Sequence, residues 1–145
     1  QLLAQALGAR VARAPRPEIG WFDVDVDPSP SARAWFGGRE RFTTFQWHYD
    51  GFALPERARR VLTGAAHANQ AYVVDERHVG FQCHIEMTSA LIESWLESGA
   101  GELPAASGAT LQSAAAIRDG AAAQLPALHD VAAAVYDRWA QGLRR

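Results

Sequence analysis

The densest chemistry in this sequence lies in Gly80-Phe81-Gln82-Cys83-His84-Ile85-Glu86. Histidine changes charge near neutral pH, which makes His84 a candidate general base. If the backbone stays extended here, residues two apart project to the same side, roughly 6.5–7 Å apart along the chain. Glu86 then stands where a carboxylate can fix the tautomer of the imidazole and stabilise the imidazolium that forms. That is the supporting half of a nucleophile–base–acid triad. The same spacing also describes an ordinary surface pair at a strand end, and on spacing alone both readings stand. Cys83 adjoins His84, yet neighbours on a strand point to opposite faces, so it is expected to fill space beneath the sheet rather than attack.

Other polar groups read as structural. Asp23, Asp25 and Asp27 alternate along a strand pattern and are expected on one solvated face rather than around a cation. The histidines (His48, His67, His78, His84, His129) show no H-x-x-x-H or H-E-x-x-H spacing, so no zinc site is expected. His48 is expected either to touch a substrate or to cap and pack. Gly37-Gly38 is too short for a phosphate loop.

The elements that must position these groups follow from periodicity and punctuation. Leu2, Leu3, Ala6 and Leu7 with Gly8 behind them resemble the end of a helix. After Ala14-Pro15-Arg16-Pro17, the stretch Trp21 to Asp27 alternates as a half-buried strand, and Pro28 to Ser31 breaks it. Arg41 to Tyr49 reads as a strand entering a loop at His48-Tyr49-Asp50-Gly51. Further strands are expected at Arg60–Gly64, Gln70–Val74 and Val79–His84, with a turn near Asp75-Glu76-Arg77. Leu91, Ile92, Trp95 and Leu96 predict a helix over Ser89–Ser98 that stops at Gly99. Beyond a Gly/Pro/Ala linker, one helix is expected around Leu111 to Ala123. A second starts at Pro126 and places Leu128, Val131, Ala132, Val135, Tyr136 and Trp139 on one packed face.

The chain has 145 residues, 48% of them hydrophobic and 21% charged, a balance that suits one folded domain. A net charge of -2 with scattered basic residues, closing on Arg144 and Arg145, gives no reason to expect nucleic acid or a membrane surface as partner. No apolar run is long enough for a membrane span, and a cytoplasmic protein is the default expectation. The single cysteine excludes an internal disulfide framework. Strands in the middle and helices at both ends suggest α/β, with the βαβ units that normally open such a domain absent before Leu2.

Gly80 to Glu86 resembles the G-x-Q-F-H-P-E segment of class I glutamine amidotransferases, where His and Glu complete a Cys-His-Glu triad. Other segments agree in order. Gln1-Leu2-Leu3-Ala4 resembles the helix after the nucleophile elbow, G-x-C-x-G-x-Q-L-L-A. Pro17-Glu18-Ile19-Gly20-Trp21 resembles E-[IL]-G-W. Trp47-His48-Tyr49-Asp50 with Leu54-Pro55 resembles W-H-x-D-x-F-x-L-P, and Asn69-Gln70-Ala71-Tyr72 resembles N-Q-A-F. Trp95-Leu96 falls where members carry a helix after the catalytic Glu. The match runs from Gln1 to about Ser98, and the helical tail suits the stand-alone, GMP-synthase-like members. Ile85 and Cys83 depart from the usual Pro and Phe, at positions whose side chains carry no chemistry.

The resemblance implies a three-layer, flavodoxin-like α/β fold with a mostly parallel sheet. Residues 1–145 would be the C-terminal part of a single amidotransferase domain, with the N-terminal βαβ units and the nucleophile elbow missing. It implies that His84 is the general base and Glu86 its orienting group. Gln1 would lie near bound glutamine, and Trp47, His48 and Tyr49 would belong to a loop whose backbone helps hold it. The implied activity is hydrolysis of the glutamine side-chain amide through a cysteine thioester, without a cofactor. A synthetase is a possible partner to receive the ammonia. Lacking the cysteine segment, this chain alone is expected to be inactive. A γ-glutamyl peptide or γ-glutamyl-amine hydrolase of the same fold, and a non-catalytic binding or regulatory relative, are the alternatives.

Overall fold

The computed structural model describes residues 1–143, so the closing Arg144-Arg145 pair lies outside the described residues. A short helix α1 (Leu2–Ala6) ends at Leu7 and hands over to Gly8 at φ 82°, where glycine carries no Cβ penalty. Strand β1 (Val11–Val26) is far longer than its alternating half. It extends back through Pro15 and Pro17 because its register with the next strand shifts between Arg13 and Glu18. Proline cannot donate to a ladder and is accommodated at such an irregularity.

Helix α2 (Pro30–Trp35) fills the expected break, with the Ser29 hydroxyl accepting from the Ala32 amide and Pro30 at its start. Strands β2 (Arg41–Phe52), β3 (Ala58–Gly64), β4 (Ala71–Val74) and β5 (His78–Phe81) follow. Residues 48–51, expected in a loop, belong to β2 and pair with β1. Helix α3 (Ser89–Ser98) matches its expected bounds, with the Thr88 side chain capping the Leu91 amide.

The sheet order is β2-β1-β3-β4-β5, and every strand pairing is antiparallel. This corrects the expectation of a mostly parallel, flavodoxin-like three-layer fold. The physical reason lies in the connections. A parallel pair needs a crossover of about a dozen residues or more, usually helical. The segments 53–57, 65–70 and 75–77 are far too short, the 27–40 connection carries only the six-residue α2, which cannot run back along the 16-residue β1, and α3 and α4 come after the last strand. The sheet also curls. Beyond β5 the chain meets the opposite edge strand, where Phe45 and His84 form an antiparallel bridge.

The expected pair of C-terminal helices is one continuous helix, α4 (Ala114–Leu143), with Pro126 inside it. Pro126 cannot donate to Ala122, but both residues are exposed, so water can satisfy the freed carbonyl. Ile117, Leu125, Leu128, Val131 and Val135 of α4 join Trp21, Val24, Trp35, Phe45 and Ile92 in the main core. Tyr136 and Trp139, expected on that packed face, are half-exposed. A smaller cluster joins Ala4, Phe52, Tyr72 and Val74. Asp23 and Asp25 are exposed, as their alternation implied, and bond Thr43 and Arg41 across the strand pair.

Candidate active site

The extended strand stops at Phe81 and the chain bends through Gln82 to Glu86, so the geometry assumed for the His84–Glu86 pair does not hold in detail. The bend still closes the pair. His84 Nδ1 lies 2.7 Å from Glu86 Oε1. The His84 backbone is fixed from β2: its amide donates to the Phe45 carbonyl at 2.8 Å, and its carbonyl accepts from the Thr44 hydroxyl at 3.0 Å. Its ring meets Trp95 of α3 edge-on, with centroids 4.9 Å apart. Position, orientation and one ring nitrogen are therefore set by three separate elements. Burial pushes the Glu86 carboxyl up, but hydrogen bonds from His84 and the local backbone outweigh this and hold it below 4.5. Glu86 thus remains an anion that can face an imidazolium.

His84 opens onto a cleft of about 360 Å³ lined by Gln1, Leu2, Leu3, Trp47, His48, Phe81, Gln82 and His84. This gathers four residues singled out from sequence, Gln1, Trp47, His48 and His84, from well-separated positions. Gln1 bonds the Asp50 carbonyl at 3.2 Å and Gln82 Oε1 at 3.4 Å, tying α1 to the cleft wall. Trp47 donates to Glu102 at 3.2 Å and stacks edge-on with Trp95 at 5.8 Å. Gly99 makes room for it, since a Cβ there would lie 2.4 Å from Trp47 Cζ2. Tyr49 is not among the residues lining the cleft. Its hydroxyl bonds Glu102 at 2.6 Å, and burial together with that carboxylate pushes it up to about 12.

His48 reaches the cleft only in part, because its Nε2 turns inward to Glu18 Oε2 at 3.1 Å, both side chains being almost fully buried. Gln70 also donates to Glu18 at 2.9 Å, and Gln46 to Gln70 at 2.9 Å. Two residues on in β1, Gly20 has φ 124° and approaches Gln112 so closely that no side chain fits there. Cys83 is buried and bonds the Gln70 carbonyl through its thiol at 3.7 Å; burial pushes it up to about 12. It is in no state to act as a nucleophile.

Sequence reasoning did not single out Glu102, Trp95 or Gln82 as site residues. Gln82 stands two residues before His84 and would share its face on an extended strand, a signal present in the sequence. Glu102 and Trp95 carry no local signal, because they meet Trp47, Tyr49 and His84 only through the packing of α3 and the 3₁₀ turn Ala100–Glu102 behind it.

No family model matches the chain. The glutamine amidotransferase-like protein YfeJ of Salmonella typhimurium is 30% identical over 111 residues, which is 74% of this chain and 46% of that protein. A crystal structure of a glutamine amidotransferase from Methylobacillus flagellatus superposes with a TM-score of 0.92 at 37% identity, covering 98% of this chain and 59% of that one. A glutamine amidotransferase from Thermotoga maritima gives a TM-score of 0.79 at 29% identity, covering 96% of this chain and 58% of that one. The chain thus spans about half to three-fifths of the length of these relatives. With the triad-type motif order, the His84–Glu86 geometry and these likenesses in agreement, the chain belongs to the glutamine amidotransferase family.

Proposed function

We propose that the chain is the C-terminal part of a class I glutamine amidotransferase domain and supplies its base and orienting carboxylate. The reading rests above all on the 2.7 Å contact of His84 Nδ1 with Glu86 at the edge of the 360 Å³ cleft. Held on Nδ1, the imidazole presents Nε2 as the nitrogen that exchanges protons. A cysteine thiolate from outside these residues attacks the side-chain carbonyl of glutamine, and His84 protonates the departing ammonia. A γ-glutamyl thioester remains. His84 then takes a proton from water as it attacks the thioester, releasing glutamate and the thiol. Gln1, Trp47 and the β2 backbone at His48 shape the glutamine pocket, with Tyr49 supporting Trp47 through their shared partner Glu102. The ammonia passes to an acceptor on another domain or on a synthetase partner.

The test is ammonia release from glutamine by the full-length protein, compared with cleavage of γ-glutamyl-amine conjugates. His84→Ala is expected to lower kcat/KM for glutamine by about 10²–10⁴-fold, the usual share of a general acid–base group. Faster turnover of the conjugates than of glutamine would move the substrate class to γ-glutamyl hydrolysis. No turnover of either, with biological function intact in His84→Ala, would overturn the catalytic reading.

A further inference from the structure

Three potential metal-ligating side chains converge beside the cleft from sequence positions that share no motif. Glu18 comes from β1, His48 from β2, and His67 from the connection between β3 and β4. One donor atom from each lies within 4.8 Å of the other two. Glu18 Oε2 and His48 Nε2 are already 3.1 Å apart, and the two imidazoles meet edge-on with centroids 4.6 Å apart. Donors held at about 2.0–2.1 Å by tetrahedral zinc stand about 3.3 Å from one another. Two of the three are thus at the required spacing, and only His67, on a short connection, must close further.

The surrounding bonds orient the same set. His67 engages the Arg16 carbonyl through Nε2 at 2.9 Å, which leaves Nδ1 to coordinate. A backbone carbonyl on the second nitrogen is the usual partner of a metal-bound histidine. Gln70 donates to Glu18 at 2.9 Å, as outer partners of ligating carboxylates do. His67 also borders a cleft of about 100 Å³ with Gly51, Phe52, Asn69 and Gln82, a route for an ion to enter.

We propose that Glu18, His48 and His67 form a binding site for one divalent transition-metal ion of zinc type, with water as the fourth ligand. The donor set of two imidazoles and one carboxylate suits zinc. The ion would clamp β1, β2 and the β3–β4 connection directly behind the wall that carries Trp47. The site does not depend on the amidotransferase reading, because none of its ligands takes part in the proposed proton transfers.

The full-length protein, stripped with chelator, is titrated with ZnCl₂ in competition with a chromophoric chelator, and with Co(II) for its visible spectrum. One equivalent is expected to bind, with a tetrahedral Co(II) band. The affinity should fall at least about tenfold in His67→Ala and in Glu18→Gln and be kept in His84→Ala. Should either variant fail to fold, imidazole ¹⁵N shifts of the wild-type protein provide the second readout. His48 and His67 should move with the first equivalent of zinc while His78 and His129 stay. Absence of uptake, uptake unchanged in both variants, or shifts confined to His84 would overturn the assignment.

Discussion

Replacing Glu86 by Gln removes the charge opposite His84 while keeping its size and a hydrogen-bond acceptor. A hydrogen bond to a charged partner contributes about 1.5–3 kcal/mol. The pair is partly in water, with side-chain exposures of 26% for His84 and 46% for Glu86, so the lower end applies, about 1.5 kcal/mol. At about 1.4 kcal/mol per factor of ten, kcat/KM for glutamine should fall about tenfold if the imidazolium forms in the transition state.

Stability supplies an independent check of that pairing. The folded-state carboxyl of Glu86 is held below 4.5, so its contribution is present above the unfolded value and is lost as pH falls through the folded value. The stability difference between wild type and Glu86→Gln should therefore be visible at neutral pH and vanish in acid once the pH is below the folded value. Denaturant midpoints measured across that range test it. An unchanged kcat/KM in Glu86→Gln would refute the orienting role.

Other consequences are equally specific. Gly99→Ala places a Cβ 2.4 Å from the Trp47 ring, so Trp47 must move; a loss of about 1–3 kcal/mol in urea unfolding and a raised KM for glutamine are expected. An unchanged KM would mean that Trp47 does not shape the pocket. Cys83, pushed up to about 12 and buried, should react with thiol reagents at pH 8 only as fast as the fold opens. Rapid labelling of the native protein with loss of activity would contradict its assignment as a core residue.

The reach of the sequence is clearest at short range. Apolar periodicity and a glycine stop predict α3 to its ends, and alternation places Asp23 and Asp25 on the exposed side of β1. The His-x-Glu spacing marks two side chains that do meet, at 2.7 Å, even though the extended strand ends at Phe81. These are properties of a few neighbouring residues, and neighbouring residues encode them. The short connections after β2, β3 and β4 already favour antiparallel pairing, against the parallel sheet that the family resemblance implies. Helix α4 runs through Pro126 because the freed carbonyl faces water, a matter of which side of the helix meets the core.

The site itself was decided in three dimensions. Curling of the sheet brings Phe45 against His84, α3 and its following turn deliver Trp95 and Glu102, and β1 sends Glu18 inward to His48 and His67. Residue types and local spacing determined which groups could do chemistry. Which of them meet was determined by contacts between residues distant in sequence, whose energies depend on burial and on the partners that only the folded chain assembles.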